Sequence, residues 1–252
     1  MSSFRFVSHN ANIPRTGLAR ALSKLGFCSR AQAFSLVRSG RVRLNQRPVC
    51  EPEIPVRLGK DRIEVDGKQV DPAGKVYLML NKPRGLVTTR SDEKGRKTVY
   101  SLLPNYSDWL APVGRLDMAS EGLLFLTNDS DWGARIASPE NHIEKTYHVQ
   151  IDAVADQRLV DWLRKGVRTK EGDFLPIKRI SILRLGKKNS WLEIVLDEGK
   201  NRHIRRMLSE LGIEVRRLLR VAIGPVELGN LPKGKTRPLT DVEKENLAAA
   251  KK

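Results

Sequence analysis

Residues 114–129 read GRLDMASEGLLFLTND, and this stretch decides how the chain folds. It opens as a glycine-flanked loop carrying Arg115 and Asp117, then runs into an apolar segment, residues 122–127. A short apolar run without polar alternation is a strand buried on both faces. Asn128-Asp129-Ser130 follows as the cap of a helix over residues 131–137. Loops held against a buried sheet place polar groups rigidly, which makes Arg115 and Asp117 candidates for chemistry. By residue type alone a surface ion pair is the stronger reading.

Further strand patterns flank this segment at residues 76–80, 86–88, 146–151, 177–185 and 191–196. Helical patterns lie at residues 156–165 and 201–211, and Thr240-Asp241-Val242-Glu243 is a capping box for a last helix. Strands interrupted irregularly by helices predict an α+β domain over residues 76–252. The turn-rich residues 71–75 are the expected linker before it.

The N-terminal part reads differently. The first fifty residues hold nine Lys or Arg and no Asp or Glu. Leu18, Leu22 and Leu25 share a helical face, and Ser29-Arg30-Ala31-Gln32 is a capping box opening a second helix with Ala33, Phe34 and Val37 inward. Arg41-Val42-Arg43-Leu44 alternates as a half-buried strand. Arg30, Arg38, Arg41, Arg43 and Arg47 are thereby left to solvent, and the lack of balancing acid points to phosphate binding. Residues 15–70 form this compact unit. Residues 1–14 are expected to be a flexible tail, with a removable presequence the weaker reading.

Composition narrows the function. The 252 residues carry 46 Lys plus Arg against 29 Asp plus Glu, a net charge of +17. That excess points to nucleic acid ahead of a membrane surface. No apolar run reaches the roughly 18 residues of a membrane helix. Cys28 and Cys50 are too few for a disulfide scaffold or zinc site, and the four histidines lack ligand spacing. Residues 229–236, GNLPKGKT, match the P-loop pattern. Arg237-Pro238 immediately afterwards reads as extended chain, so no helix starts there to cradle phosphate. A nucleotide cofactor is therefore not expected.

Residues 22–45, LSKLGFCSRAQAFSLVRSGRVRLN, resemble the small RNA-binding domain first described in ribosomal protein S-four, the alpha-L motif. The likeness spans residues 16–70, and Gln46 departs from the usual Gly after Asn45, predicting an altered turn. The 114–129 segment resembles the active-site motif of pseudouridine synthases, in the branch that includes ribosomal RNA modifiers. Three more segments match in order: Asn81-Lys82-Pro83-Arg84-Gly85; Glu144-Lys145-Thr146-Tyr147-His148-Val149; and the basic residues 198–207, followed by Leu218-Leu219-Arg220. His203 stands where relatives carry Gln.

The resemblance implies an alpha-L domain joined to a catalytic domain built on a mixed, mainly antiparallel sheet. It implies isomerisation of uridine in ribosomal RNA, with a preference for the large subunit. No atom is gained or lost, so no cofactor or metal is implied. Asp117 would be the nucleophile, Tyr147 would stack on the base, and Arg205 would pair with Asp117. Arg115 and Leu218 would line the pocket, and Lys82, Arg202 and Arg206 would contact RNA. A helical wheel over residues 201–211 agrees in part: Ile204, Met207, Leu208 and Leu211 share one face, Arg202 and Arg206 oppose it, and Arg205 lies at the border. The expected partner is free ribosomal RNA or a pre-ribosomal particle, met by a cytoplasmic monomer. The competing class is a noncatalytic RNA-binding or ribosome-assembly factor that has kept the fold.

Overall fold

The computed structural model describes residues 15–104, 106 and 109–250; the expected flexible tail, 1–14, lies outside them. The chain separates into two compact units between Gly74 and Lys75.

In the first unit, helix α1 (Leu18–Lys24) packs its buried Leu18, Ala21 and Leu22 against α2 (Arg30–Arg38), which buries Ala33 and Val37. Ser29 caps α2 by a full capping box with Gln32. A four-stranded antiparallel sheet follows: β1 (Val42–Leu44), β2 (Arg47–Val49), β3 (Ile63–Val65) and β4 (Lys68–Gln69), in the order β2-β1-β3-β4. Asn45 and Gln46 join β1 to β2 with φ of 50° and 69°. Both are left-handed, as a type I′ hairpin requires. The altered turn expected from Gln46 is not formed: the two-residue register forces Gln into the conformation that Gly would adopt.

The second unit is built on a nine-stranded sheet. Its strands are β5 (Tyr77–Lys82), β6 (Ala111–Val113), β7 (Glu121–Thr127), β8 (Lys145–Ile151), β9 (Arg179–Leu185), β10 (Ser190–Leu196), β11 (Val215–Ile223), β12 (Val226–Glu227) and β13 (Thr236–Pro238). The main path runs β9-β10-β8-β11-β7-β5-β13, with β12 beside β11 and β6 beside β7. Only β11 and β7 pair in parallel, so the sheet is mixed and mainly antiparallel. Strand β7 is buried at every residue, as its unbroken apolar run requires. Helices α3 (Ser130–Ala137), α4 (Gln157–Arg164), α5 (His203–Glu210) and α6 (Asp241–Ala249) cover it. Thr240 and Glu243 form the expected capping box of α6.

Two expected elements differ. Residues 86–88 make a single bridge, Val87 to Thr98, and not a strand; one bridge is all the local chain offers. Helix α5 starts at His203 because Arg202 is left-handed, with φ of 50°. The 229–236 stretch runs into strand β13, so no phosphate-cradling helix forms there. Among the described residues, no helix is long and apolar enough to cross a membrane.

Candidate active site

The loop carrying Asp117 is held by its backbone carbonyls, each caught by a donor. Thr88 Oγ1 donates to Leu116 O at 2.7 Å, and Gly85 N to Met118 O at 2.8 Å. Lys82 Nζ donates to Asp117 O at 3.1 Å, Ser120 O at 2.9 Å and Pro83 O at 3.1 Å. Arg205 Nη2 donates to Ala119 O at 3.1 Å. Such a loop cannot shift without breaking several buried bonds at once.

Lys82 therefore does not contact RNA, contrary to expectation. It is 0 % exposed, its ammonium satisfied by three carbonyls. Burial pushes its pKa down to about 8, against the pull of Asp117 and Glu121 and with the repulsion of Arg220.

The strand that follows is positioned by Gly122. Its φ is +104°, and a Cβ there would lie 2.2 Å from Arg220 O. Only glycine lets β7 and β11 approach this closely in their parallel register, Leu219 to Glu121 and Arg220 to Gly122. Glu121, 1 % exposed, is held by Arg217 at 3.1 Å and by Lys233. Burial alone would raise its pKa, but the two hydrogen-bonded cations outweigh that and hold it low.

The loop forms one wall of a cleft of about 440 Å³. Asp117, Arg115, Tyr147, Leu218 and Arg202 all line it, so four of the five residues expected in or near the pocket converge there, with Arg202 added and Arg205 absent. Tyr147 is half-buried and packs against two core clusters. Leu218 is buried beneath it.

The basic motif is rearranged relative to expectation. The guanidinium within reach of the Asp117 carboxylate is that of Arg202, at 4.0 Å. Arg205 does not pair with Asp117; it donates to Val215 O and Ala119 O. The left-handed Arg202 stands outside the helix, so the wheel does not govern it, and its side chain turns to the cleft. Burial lowers the Arg205 pKa, Arg202 and Arg84 lowering it further, while Asp117 raises it. Arg206 is not free for phosphate either: it pairs with Asp173 and lies 3.9 Å from Glu171. His203 is buried in the first turn and lines the same cleft.

Asp129 caps α3 by accepting from Trp132 N at 3.1 Å. It also accepts from the Tyr77 hydroxyl at 2.8 Å. Burial and that bond push the Tyr77 pKa up to about 12.

Three cleft cations escaped the sequence reading, Lys145, Lys200 and Arg220. Period-two spacing puts Lys145 on the face of Tyr147, a signal that was available. Arg220 shares the face of Leu218 by the same spacing, but its partner, Leu123 O, is far away in sequence. In the first unit, Arg30, Arg38, Arg41, Arg43 and Arg47 are all exposed. Arg41 is not unbalanced, however: Asp66, beyond the acid-free segment, takes it in a two-pronged ion pair. No group of three or more His, Cys, Asp or Glu is placed to hold a metal ion among the described residues.

A carboxylate fixed beside an aromatic ring in a cationic cleft, on a chain with an arginine-rich helical unit, defines an enzyme acting on RNA. Residues 76–210 match the RNA pseudouridylate synthase family, and residues 16–63 match the S4 domain. The chain belongs to the RNA pseudouridylate synthases. It is 36% identical over 92% of its length to the ribosomal large subunit pseudouridine synthase B of Bacillus subtilis (strain 168), covering 95% of that protein. An uncharacterized RNA pseudouridine synthase of Aquifex aeolicus (strain VF5) is 39% identical over 91% of this chain and 92% of its own. A crystal structure of a pseudouridylate synthase superposes with a TM-score of 0.65 at 30% identity, covering 92% of this chain and 99% of that one.

Proposed function

We propose that this protein converts uridine to pseudouridine in ribosomal RNA, with large-subunit RNA the preferred target. The observation that carries the reading is the Asp117 loop, clamped through its backbone while its carboxylate faces the cleft with Tyr147. The target base leaves its stack to enter the cleft, at a few kcal/mol, and stacking on Tyr147 returns about 1–3 kcal/mol. Asp117 is the nucleophile, dividing one hard step into two through a covalent intermediate. Arg202, 4.0 Å away, is the cation within ion-pair reach of that carboxylate. Arg205 acts as a positioning residue through Ala119 O. Arg115 and Leu218 shape the pocket.

In this reading, residues 15–70 bind RNA through Arg30, Arg38, Arg43 and Arg47, and residues 76–252 carry the chemistry without cofactor or metal. The large-subunit preference rests on the name of the Bacillus relative. The protein works in the cytoplasm as a monomer, on free ribosomal RNA or a pre-ribosomal particle. Mapping pseudouridines chemically in ribosomal RNA from cells with and without the protein tests this. One or more large-subunit sites should vanish in its absence. An unchanged map together with slowed ribosome assembly would favour the noncatalytic assembly factor.

A further inference from the structure

Three cleft cations have no role above; Lys200 donates to Phe174 O and faces Glu198, which leaves Lys145 and Arg220. Arg220 lies on β11 directly across from Tyr147 on β8, and Lys145 precedes Tyr147 by two residues. Between Thr146 and Tyr147 the pairing slips by one residue, a bulge in β11 at Val221. Bulges re-aim side chains, and here both cations line the same cleft as Asp117.

Arg220 is 5 % exposed. Its Nε donates to Leu123 O at 2.8 Å, yet its Nη2 is buried with no hydrogen-bond partner. An unmatched guanidinium N–H is costly, more so than a neutral donor. Burial, then the adjacent Arg220, holds the Lys145 pKa down to about 8, opposed by Asp197. Two cations lining one cleft, one of them carrying a buried donor without a partner, fit a ligand that gains negative charge.

Resting on the function proposed above, we infer that Arg220 and Lys145 bind the carbonyl oxygens of the target uracil and stabilise the charge it gathers during isomerisation. When C1′–N1 breaks, its electron pair stays on the ring, spread over N1, O2 and O4. If Asp117 adds to C6 instead, the displaced pair reaches O4. Either way the ring is anionic until C5 bonds to C1′, and the bond to Asp117, whether at C1′ or C6, breaks to return its carboxylate. The C5 proton then leaves and N1 takes one up, so atoms and charge balance. Fixed donors aimed where charge develops give the largest gain in a site shielded from water. A backbone phosphate is the competing ligand, but Arg220 lies too deep beside the stacking ring for that to be favoured.

The test uses full-length Arg220→Met, Arg220→Lys and Lys145→Met in single-turnover reactions. The substrate is transcribed large-subunit ribosomal RNA carrying either uridine or 5-fluorouridine, and digested nucleosides are separated to follow cleavage of C1′–N1. Fluorine withdraws electrons, so the fluorinated ring bears charge with less help. Arg220→Met and Lys145→Met should slow uridine about a hundredfold and 5-fluorouridine far less, with Arg220→Lys intermediate and RNA affinity unchanged. Equal losses on both substrates would overturn the inference, as would a loss confined to affinity and its salt slope, which marks a phosphate contact. If Arg220→Met does not fold, Lys145→Met and Arg220→Lys carry the comparison. A wild type that makes no pseudouridine removes the functional reading itself; an active wild type matched by Lys145→Met removes only this inference.

Discussion

Lys82 Nζ lies 3.1 Å from Asp117 O and 2.9 Å from Ser120 O, with no surface exposed to solvent. A cation thirty-five residues upstream thus grips both ends of the loop that presents the reactive carboxylate. Lys82→Met should leave Ser120 O and Pro83 O without this donor and lower stability by about 2–4 kcal/mol, read from urea unfolding. The amine titrates near 8 when folded and near 10.5 when unfolded. Below about pH 8 both states hold the proton; between the two values the unfolded state holds more. Stability from this group therefore rises with pH across that window. Lys145 behaves alike, so the wild-type rise should persist at roughly half size in Lys82→Met. An identical rise in both proteins would show that Lys82 does not titrate there.

Asp117→Asn should abolish pseudouridine formation while changing stability by less than about 1 kcal/mol, since the carboxylate is partly exposed and its ion-pair partner, Arg202, stands at 4.0 Å. Asparagine keeps the size but not the anionic nucleophile. RNA affinity, measured by filter binding, should stay close to wild type. The control, Asp129→Asn, weakens both the α3 cap and the Tyr77 bond. It should cost about 1–2 kcal/mol and leave the chemistry alone. Normal modification by Asp117→Asn would refute the nucleophile assignment.

The three arginines near α5 should separate by phenotype. Arg205→Ala frees Ala119 O and should lower kcat with little change in KM. Arg202→Ala removes the cation 4.0 Å from the Asp117 carboxylate and should lower kcat/KM. Arg206→Ala loses a surface pair with Asp173 and should change stability and rate little. A kcat loss confined to Arg206→Ala would contradict the geometry.

Salt dependence tests the first unit. Arg38→Ala and Arg43→Ala, both exposed, should each flatten the slope of log affinity against log salt by about 1. Arg41→Ala should flatten it less, because Asp66 already neutralises that guanidinium. Equal slopes for all four proteins would show that this face does not meet phosphate.

The sequence by itself determined what short range controls. The capping boxes at Ser29 and Thr240, the Asp129 cap and the buried apolar strand β7 all formed where the spacing required. Each depends on neighbours within about four residues or on strand periodicity. The order of the motifs likewise brought Asp117, Tyr147 and Leu218 to one cleft. Only the tertiary structure decided which cation meets which acceptor. Lys82 turned inward, Arg205 took a carbonyl 86 residues away, and Arg220 reached Leu123 across 97 residues. A lysine or arginine carries the same charge at any site, and its partner is chosen by which strands lie side by side. That choice here runs through Gly122, whose missing Cβ lets β7 and β11 close up.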